Sequence, residues 1–456
     1  MGLEEEYARW EAAGHPRRRR AEDRPTQSRL KVLFAVSRQI YETMTDSYFA
    51  EEFDACRRHP KLECSVWGAG FPEYDANRTL YANLGERTGK GELQIGPGLG
   101  NLRPPYDVIM FQAGYPEFPL GLEMSARPPG HEHTVHALRI NEGWASYNEP
   151  LFVDLNVSIA MYSFAQDMGE SASAVGAGAA AAQTTLLGNV SAPRKGPYSS
   201  RREQVLSGDW HEHARTRVNV HVPMSTDVDF FGGGLSDQDL ATKERPIGAL
   251  LVGAVSPTCY PLRARLQRLI QEGRIPGGVQ RGHPGYRLSA QERAHQRSDY
   301  AEQLRSSKIV FVTSMYYRHR LQKFAEAAAA GALMMGTLPQ EDEELFRGIM
   351  VELREDDSDE YIIDTIQWWL SHDEERARMV RRAIAAARRH FSWDLNFADR
   401  LFLAYQRLQR REYGWWFPKP FTVREPRRNT CDCNAREREA DYILAPRCAH
   451  VPKPAA

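Results

Sequence analysis

Two series of short apolar runs, each alternating with helical patterns, constrain the fold of this chain more than any other feature of its sequence. The first series opens with KVLFAVS (31–37) and the second with IGALLVGAV (247–255). Runs of this length that are continuously apolar and rich in β-branched residues are typical of strands buried on both faces. Strands that alternate with helices form parallel sheets with right-handed crossovers. The sequence therefore predicts an α/β protein with two Rossmann-like domains that face a common cleft.

Changes in composition and periodicity divide the 456 residues into six segments. The length exceeds the size at which a single hydrophobic core stops growing, which agrees with two domains. The predicted segments are a disordered arm (1–28), an N-terminal Rossmann-like domain (29–223), a linker (224–246), a C-terminal Rossmann-like domain (247–395), a crossing helix (396–412) and a C-terminal tail (413–456). The linker is placed where periodicity is lost and three glycines follow one another.

Charge and composition exclude several classes of protein. Lys and Arg number 59 against 60 for Asp and Glu, a net charge of −1, so no overall basic field favours binding to nucleic acid. The chain has no apolar run of about 18 residues and no apolar stretch typical of a signal peptide, so we expect a cytoplasmic protein without a membrane span. Six cysteines in a chain of this length do not predict a disulfide framework.

The most informative stretch, residues 313–346, begins at the end of a strand and continues through a basic loop into a helix. The strand KIVFVTS (308–314) is followed by a loop that contains Arg318 and Arg320, and the helix carries Glu326 two turns from its start. Because the first turn of a helix presents N–H groups and a positive dipole, a basic loop at this point predicts an anion site of the kind that holds phosphates. A carboxylate beside such a site typically accepts hydrogen bonds from a ribose diol.

This stretch resembles the C-terminal domain of the glycosyl transferases group 1 family, which has the GT-B architecture. Within the family, the branch that includes spore-maturation-type proteins is the most similar. The family order of basic residue, aromatic, Glu, small residues, Gly and apolar strand is matched by Lys323, Phe324, Glu326 and Gly331, followed by ALMMGTLP. The resemblance covers about 220–405, and over the N-terminal domain it is only architectural.

The resemblance implies a nucleotide-sugar donor in the C-terminal domain and an acceptor of unknown kind in the N-terminal domain. It assigns Glu326 to the ribose, Gly253 and Arg263 to the donor phosphates, and the HPGY segment to the nucleobase. The donor-binding residues that it predicts are Gly253, Arg263, His283, Tyr286, Arg320, Lys323, Glu326 and Gly331. The large retaining group of the family has a second Glu eight positions before the first, where this chain has Arg318, so the stereochemical outcome stays open.

Glycosyl transfer passes through an oxocarbenium-like transition state with the nucleoside diphosphate as leaving group. Fixed cations and helix N–H groups can stabilise the charge that develops on the leaving phosphate, so we expect neither a metal nor another cofactor. The candidate catalytic residues are Arg318, as one of those cations, and His136 or Glu142 as the base that activates the acceptor.

Two further motifs and two alternative functions complete the predictions. The D-x-D formed by Asp227 and Asp229 is expected to cap a turn rather than bind a metal. In the tail, Cys431, Cys433, Cys448 and His450 form a set that could bind zinc. The alternatives to a glycosyltransferase are a catalytically inactive interaction or coat-assembly protein of the same fold, and a nucleotide-sugar epimerase.

Overall fold

The computed structural model describes most of the predicted C-terminal domain and separate parts of the N-terminal domain. The described residues are 29–38, 41, 49–72, 74–75, 78, 80–85, 93–94, 101–102, 106–112, 131, 133–140, 157–163, 217–255, 257, 260–282, 288–314, 320–339 and 342–416.

Seven parallel strands form the first sheet, in the order β14-β8-β7-β6-β5-β1-β2. They are β1 (Leu30–Ala35), β2 (Leu62–Trp67), β5 (Val108–Gln112), β6 (Val135–Ile140), β7 (Ile159–Tyr162), β8 (Val218–His221) and β14 (Gly414–Trp416). Val32 lies opposite both Cys64 and Val108, because β1 is paired on both sides. Val32, Leu33 and Phe34 are fully buried, which explains why this strand is apolar on both faces.

Five parallel strands form the second sheet, in the order β10-β9-β11-β12-β13. They are β9 (Ile247–Val252), β10 (Gly278–Arg281), β11 (Ser307–Phe311), β12 (Leu333–Gly336) and β13 (Met350–Glu352). A separate antiparallel pair consists of β3 (Leu93–Gln94) and β4 (Asn101–Leu102). Two parallel sheets with helices confirm the predicted α/β class with two Rossmann-like domains.

Helices connect these strands. Those before the second sheet are α1 (Phe49–Arg58), α2 (Leu80–Gly85), α3 (Val228–Gly232) and α4 (Asp237–Thr242). Those of the second domain are α5 (Pro261–Gln271), α6 (Ala290–Arg305), α7 (Gln322–Ala329), α8 (Glu343–Arg347), α9 (Asp359–Ser371) and α10 (Asp373–His390). A π-helical turn (Asp394–Asp399) leads into α11 (Arg400–Gln409). In the part of the chain that the structure describes, no helix is long and apolar enough to cross a membrane.

The predicted segment borders stay predictions, but the structure adds detail at two of them. Helices α3 and α4 lie within the predicted linker, and β14, at the start of the predicted tail, extends the first sheet. Helices of five and six residues are too short to show a helical period in sequence, which is why this stretch reads as irregular.

The chain passes between the two sheets twice, and the two passages lie side by side. Thr226 pairs with Ser392 as a parallel bridge, and the Thr226 N–H donates to the carbonyl of Phe391 at 2.8 Å. After the second passage, Trp393, Phe397 and Leu401 pack into the core of the first domain. The end of the chain therefore completes the domain with which the chain begins.

Cys56, near the end of α1, forms a disulfide with Cys64 of β2. The composition predicted no disulfide framework, and this bond corrects that expectation for one pair. Both cysteines are buried in the first-domain core. The number of cysteines in the sequence does not indicate that these two lie close together.

Candidate functional site

Gly253 and Lys323 meet where β9 ends and α7 begins. Gly253 follows β9 with φ of 94°, in the left-handed region that favours glycine. A Cβ atom at this position would overlap Lys323 Nζ and lie 3.5 Å from Arg263 Nη1. The missing side chain therefore lets the ammonium group of Lys323 lie directly on the backbone at the carboxyl end of the strand, which is the position where open α/β sheets bind ligands.

The amino end of α7 lacks a capping side chain. Its N-cap residue is Leu321, which has no polar side-chain atom to accept from the first-turn N–H groups. Apart from Glu326, the residues of α7 after Phe324 are alanines, which allow close packing, and residues 324–329 are all buried. An anion at this end would meet first-turn amides, the positive end of the helix dipole and Lys323.

Glu326 lies one turn beyond Lys323 and is almost completely buried, with 8% of its surface exposed. Its Oε2 accepts a hydrogen bond from the Tyr300 hydroxyl at 2.8 Å. The pKa of Glu326 is raised to about 7. Burial and the negative charge of Glu51 raise it, whereas the Tyr300 hydrogen bond and the charge of Lys323 act in the opposite direction. A ligand that donates hydrogen bonds to the ionised carboxylate stabilises that form and lowers the pKa of Glu326.

We call Gly253, Lys323, Glu326 and Tyr300 the strand-end cluster. Tyr300 comes from α6, and burial raises the pKa of its phenol well above the usual range, so it remains a hydrogen-bond donor to Glu326. Arg281, at the end of β10, places its guanidinium 5.7 Å from the centre of the Tyr300 ring. Strands β9 and β10 and helices α6 and α7 thus converge on one cluster that holds one ammonium and one carboxyl group.

Arg263 belongs to the wall of this cluster and positions its loops. Its Nε donates to Thr313 Oγ1 at 2.9 Å, Nη1 to the Ala254 carbonyl at 2.7 Å and Nη2 to the Thr313 carbonyl at 3.2 Å. The guanidinium also lies 3.8 Å from the centre of the Tyr260 ring and is 1% exposed. It therefore ties the loop after β9 to the end of β11, while direct phosphate binding by Arg263 stays a prediction.

The contacts of Arg320 are with residues outside the strand-end cluster. They give no support to the predicted contact between Arg320 and the donor. Its Nη1 pairs with Asp342 at 2.9 Å and its Nη2 donates to the Met224 carbonyl at 2.6 Å. The side chain is fully buried, with its guanidinium 4.9 Å from the centre of the Phe391 ring. Because α7 begins at Gln322, Arg320 belongs to the preceding loop and joins the second domain to the double passage.

Gly331 lies at a position that only glycine occupies without strain. Gly331 follows α7 with φ of 67°, and a Cβ there would come within 2.7 Å of Leu240 Cγ, so this glycine shapes the carboxyl end of the helix, remote from the amino end.

His136 is fully buried within β6, with Nε2 2.5 Å from the Tyr81 hydroxyl. A side chain without exposed surface has no path to an acceptor, so the position gives no support to a base at His136.

The other predicted residues have separate outcomes. Arg318, Glu142, His283 and Tyr286 lie outside the described residues, as do Cys431, Cys433, Cys448 and His450. Asp227 is the N-cap of α3 and accepts from the Phe230 N–H at 3.1 Å, which confirms the predicted capping role. Within the described ranges, no group of three or more His, Cys, Asp or Glu side chains could hold a metal ion.

Glu51, from the first turn of α1, was not predicted. Its Oε2 accepts from Trp393 Nε1 at 2.7 Å and from Gln322 Nε2 at 3.0 Å, and its Oε1 lies 3.2 Å from Arg297 Nη2. Burial raises its pKa, while Arg297 and Trp393 act to lower it. Nothing in the pattern of α1 distinguishes Glu51 from an ordinary helix residue, because all of its partners are more than 240 positions away.

The structure thus has two parallel α/β domains, and the strand ends of the second hold a lysine and a buried carboxyl group. Residues 261–401 match the family model described as glycosyl transferase-like. This segment includes α5 to α10 and most of the strand-end cluster. The predicted resemblance to the group 1 glycosyltransferases is therefore confirmed, while the spore-maturation branch stays a prediction.

Solved structures with a similar course of the chain were also found, whereas no curated protein matches this sequence. The catalytic domain of starch synthase IV from Arabidopsis thaliana, bound to ADP and acarbose, has 9% identity and a TM-score of 0.48, covering 83% of this chain and 99% of its own. Sucrose-phosphate synthase from Thermosynechococcus elongatus has 12% identity and a TM-score of 0.46, covering 84% and 100%. Anabaena HepE in complex with UDP and glucose has 11% identity and a TM-score of 0.45, covering 83% and 99%.

Proposed function

We propose that this protein transfers a sugar from a nucleotide-sugar donor to an acceptor, with the donor held at the strand-end cluster. The observation that supports this function best is the placement of Lys323 on Gly253, one helical turn from the buried carboxyl of Glu326. A donor contains a diphosphate beside a ribose diol, and the cluster offers a cation beside a carboxyl acceptor. The match of residues 261–401 to a glycosyl transferase-like family supports the same function.

Each member of the cluster has a defined part in this proposal. Gly253 admits the diphosphate to the backbone, because a Cβ would fill the space beside Lys323. Lys323 and the first-turn amides of α7 stabilise the charge that grows on the diphosphate as the bond to the sugar breaks. Glu326, in its ionised form, accepts hydrogen bonds from the ribose hydroxyls while Tyr300 continues to donate to it.

The same cluster explains why the reaction needs no metal in this proposal. A preorganised cation that is partly withdrawn from water stabilises developing negative charge without first having to reorganise its surroundings. In this proposal, the first domain binds the acceptor and provides the base. The sugar, the nucleobase and the acceptor are not specified by the cluster, since a diphosphate and a ribose are common to all nucleotide-sugar donors.

Calorimetric titration with ADP, UDP and GDP tests the donor site directly. We expect one nucleoside diphosphate to bind, and we expect Lys323→Met to weaken it about 10- to 100-fold, as for the loss of one charge-assisted hydrogen bond. Lys308→Met is the matched control, because Lys308 lies at the start of β11, at the opposite end of the sheet. If no diphosphate binds, the inactive interaction protein is favoured instead.

Incubation of the protein with nucleotide-sugars then identifies the reaction. Slow release of free sugar and nucleoside diphosphate is expected from a transferase in the absence of its acceptor, since water replaces the acceptor. Conversion of one nucleotide-sugar into another without release of diphosphate would refute the transferase and indicate an epimerase.

A further inference from the structure

The carboxylate of Glu51 connects three elements of the second half of the chain to the first domain. Its partners are Gln322, the first residue of α7, Arg297 of α6, and Trp393 of the second passage. Two of the three are neighbours of the strand-end cluster, because Gln322 precedes Lys323 and α6 also carries Tyr300. One side chain of the first domain is therefore bonded to the amino end of α7.

The surroundings of Glu51 make this connection stronger than an ordinary surface contact. The Glu51 side chain is 16% exposed and that of Arg297 33%, whereas the ion pair between Arg58 and Asp394, which also joins α1 to the second passage, is 42% and 20% exposed. Arg297 is itself held in place, with its guanidinium 4.1 Å from the centre of the Phe230 ring. A carboxylate that is shielded from water, accepts two hydrogen bonds and pairs with one guanidinium fixes its partners more firmly than an exposed pair does.

We propose that Glu51 is a positioning residue that holds the amino end of α7 in register with the first domain, and so aligns the donor with the acceptor. The inference rests on the proposed function, since it assigns the donor to α7 and the acceptor to the first domain. Gln322 is adjacent to Lys323, so a bond from Glu51 to Gln322 sets where the diphosphate lies relative to the first domain. Alignment of the two substrates is worth much of the rate in a bimolecular transfer.

The proposal separates two kinetic constants. At pH 8, where Glu326 is largely ionised with or without the charge of Glu51, Glu51→Ala leaves Lys323, Glu326 and Gly253 in place, so donor KM is expected to change by less than about threefold. Loss of alignment is expected to lower kcat at least about tenfold, since displacement of the reacting groups by about 1 Å costs on the order of a hundredfold. A role in general stability alone would lower the folded fraction and leave kcat per folded molecule unchanged.

Two further variants sharpen the test. Glu51→Gln retains an oxygen that can accept from Trp393 and Gln322 but loses the charge that faces Arg297, so its kcat should lie between those of the wild type and Glu51→Ala. Glu63→Gln is the matched control, because Glu63 is an exposed carboxylate of β2 in the same domain and takes no part in the three contacts of Glu51. It should behave as the wild type in both constants.

Hydrogen exchange measured by mass spectrometry, without any ligand, tests the contact independently of turnover. We expect the backbone amides of residues 322–326 to exchange at least about threefold faster in Glu51→Ala than in Glu63→Gln. Unchanged exchange, or faster exchange with unchanged kcat, would overturn the inference. A wild-type protein that consumes no nucleotide-sugar would refute the proposed function and the alignment role with it, and exchange would then report only whether Glu51 holds α7.

Discussion

Replacement of Glu326 by Gln should have opposite effects on ligand binding and on the stability of the unliganded protein. The wild-type carboxyl has a pKa of about 7 against an ordinary value of 4.5. At about 1.36 kcal/mol per pKa unit, the ionised form of this buried group costs the folded protein roughly 3 kcal/mol. Gln has nearly the same shape, can accept from Tyr300 and carries no charge, so it avoids this cost.

The sign of the pH dependence follows from the direction of the shift. Between about pH 4.5 and pH 7 the folded protein retains a proton on Glu326 that the unfolded chain has already lost. The contribution of Glu326 to stability is therefore fully present below about pH 4.5 and is lost as the pH rises to about 7. We expect Glu326→Gln to match the wild type in urea unfolding at pH 5 to within about 1 kcal/mol, and to exceed it by up to about 3 kcal/mol at pH 8.

Binding should change in the other direction. A carboxylate that accepts from ribose hydroxyls contributes about 1.5 to 3 kcal/mol, so the affinity of the preferred nucleoside diphosphate should fall about 10- to 100-fold in Glu326→Gln at pH 8. In the wild type, affinity should decrease below pH 7 by up to about tenfold per pH unit as Glu326 takes up a proton. Ionisation of the diphosphate is common to both proteins, so the ratio of their affinities isolates Glu326.

Calorimetric titrations and urea unfolding of both proteins at pH 5, 6, 7 and 8 provide the comparison. A ratio of affinities that stays constant over this range would show that Glu326 does not titrate in contact with the ligand. A variant that is less stable than the wild type at pH 8 would show that the carboxylate stabilises the fold, which would refute the reasoning from burial.

Three other substitutions have expected outcomes. Gly253→Ala places a methyl group against the ammonium of Lys323. Diphosphate affinity measured by calorimetry should therefore fall at least about tenfold, with a stability loss of only about 1 to 2 kcal/mol. Unchanged affinity would show that Lys323 does not contact the ligand. Arg320→Ala leaves Asp342 buried without its partner and should cost about 3 to 5 kcal/mol in urea unfolding, with diphosphate affinity retained; a loss confined to affinity would restore the donor contact first predicted for Arg320. Gly331→Ala forces a side chain into φ of 67° and should lower the unfolding free energy by about 1 to 3 kcal/mol, and an unchanged urea midpoint would contradict this.

Periodicity predicted the two sheets because most strands, such as β1 and β9, are apolar over most of their length. The same reasoning could not reveal β14 (Gly414–Trp416), because three residues are too few to show a pattern and its partner β8 is almost 200 positions away. The order of the strands along the sequence also does not give their order within the sheet. The seven-stranded arrangement depends on long-range pairing rather than on local propensity.

Within the candidate site, residue type was easier to predict than side-chain direction. Lys323 and Arg320 are both cations near the start of α7, yet the first lies on Gly253 and the second pairs with Asp342. The difference depends on Leu321 being the N-cap, which puts Arg320 in the loop and Lys323 on the helix. Glu51 could not be found at all, since its role exists only once the two domains are assembled.

The double passage at Thr226 and Ser392 has a consequence for how the protein is made. The second domain is a continuous insertion between the two passages, whereas the first domain needs Trp393, Phe397 and Leu401 to fill its core. During synthesis, the inserted domain therefore has all of its residues before the surrounding domain does. We expect the first domain to stay incomplete on the ribosome until α11 has emerged, and a chain cut before Trp393 to leave an apolar surface open to aggregation.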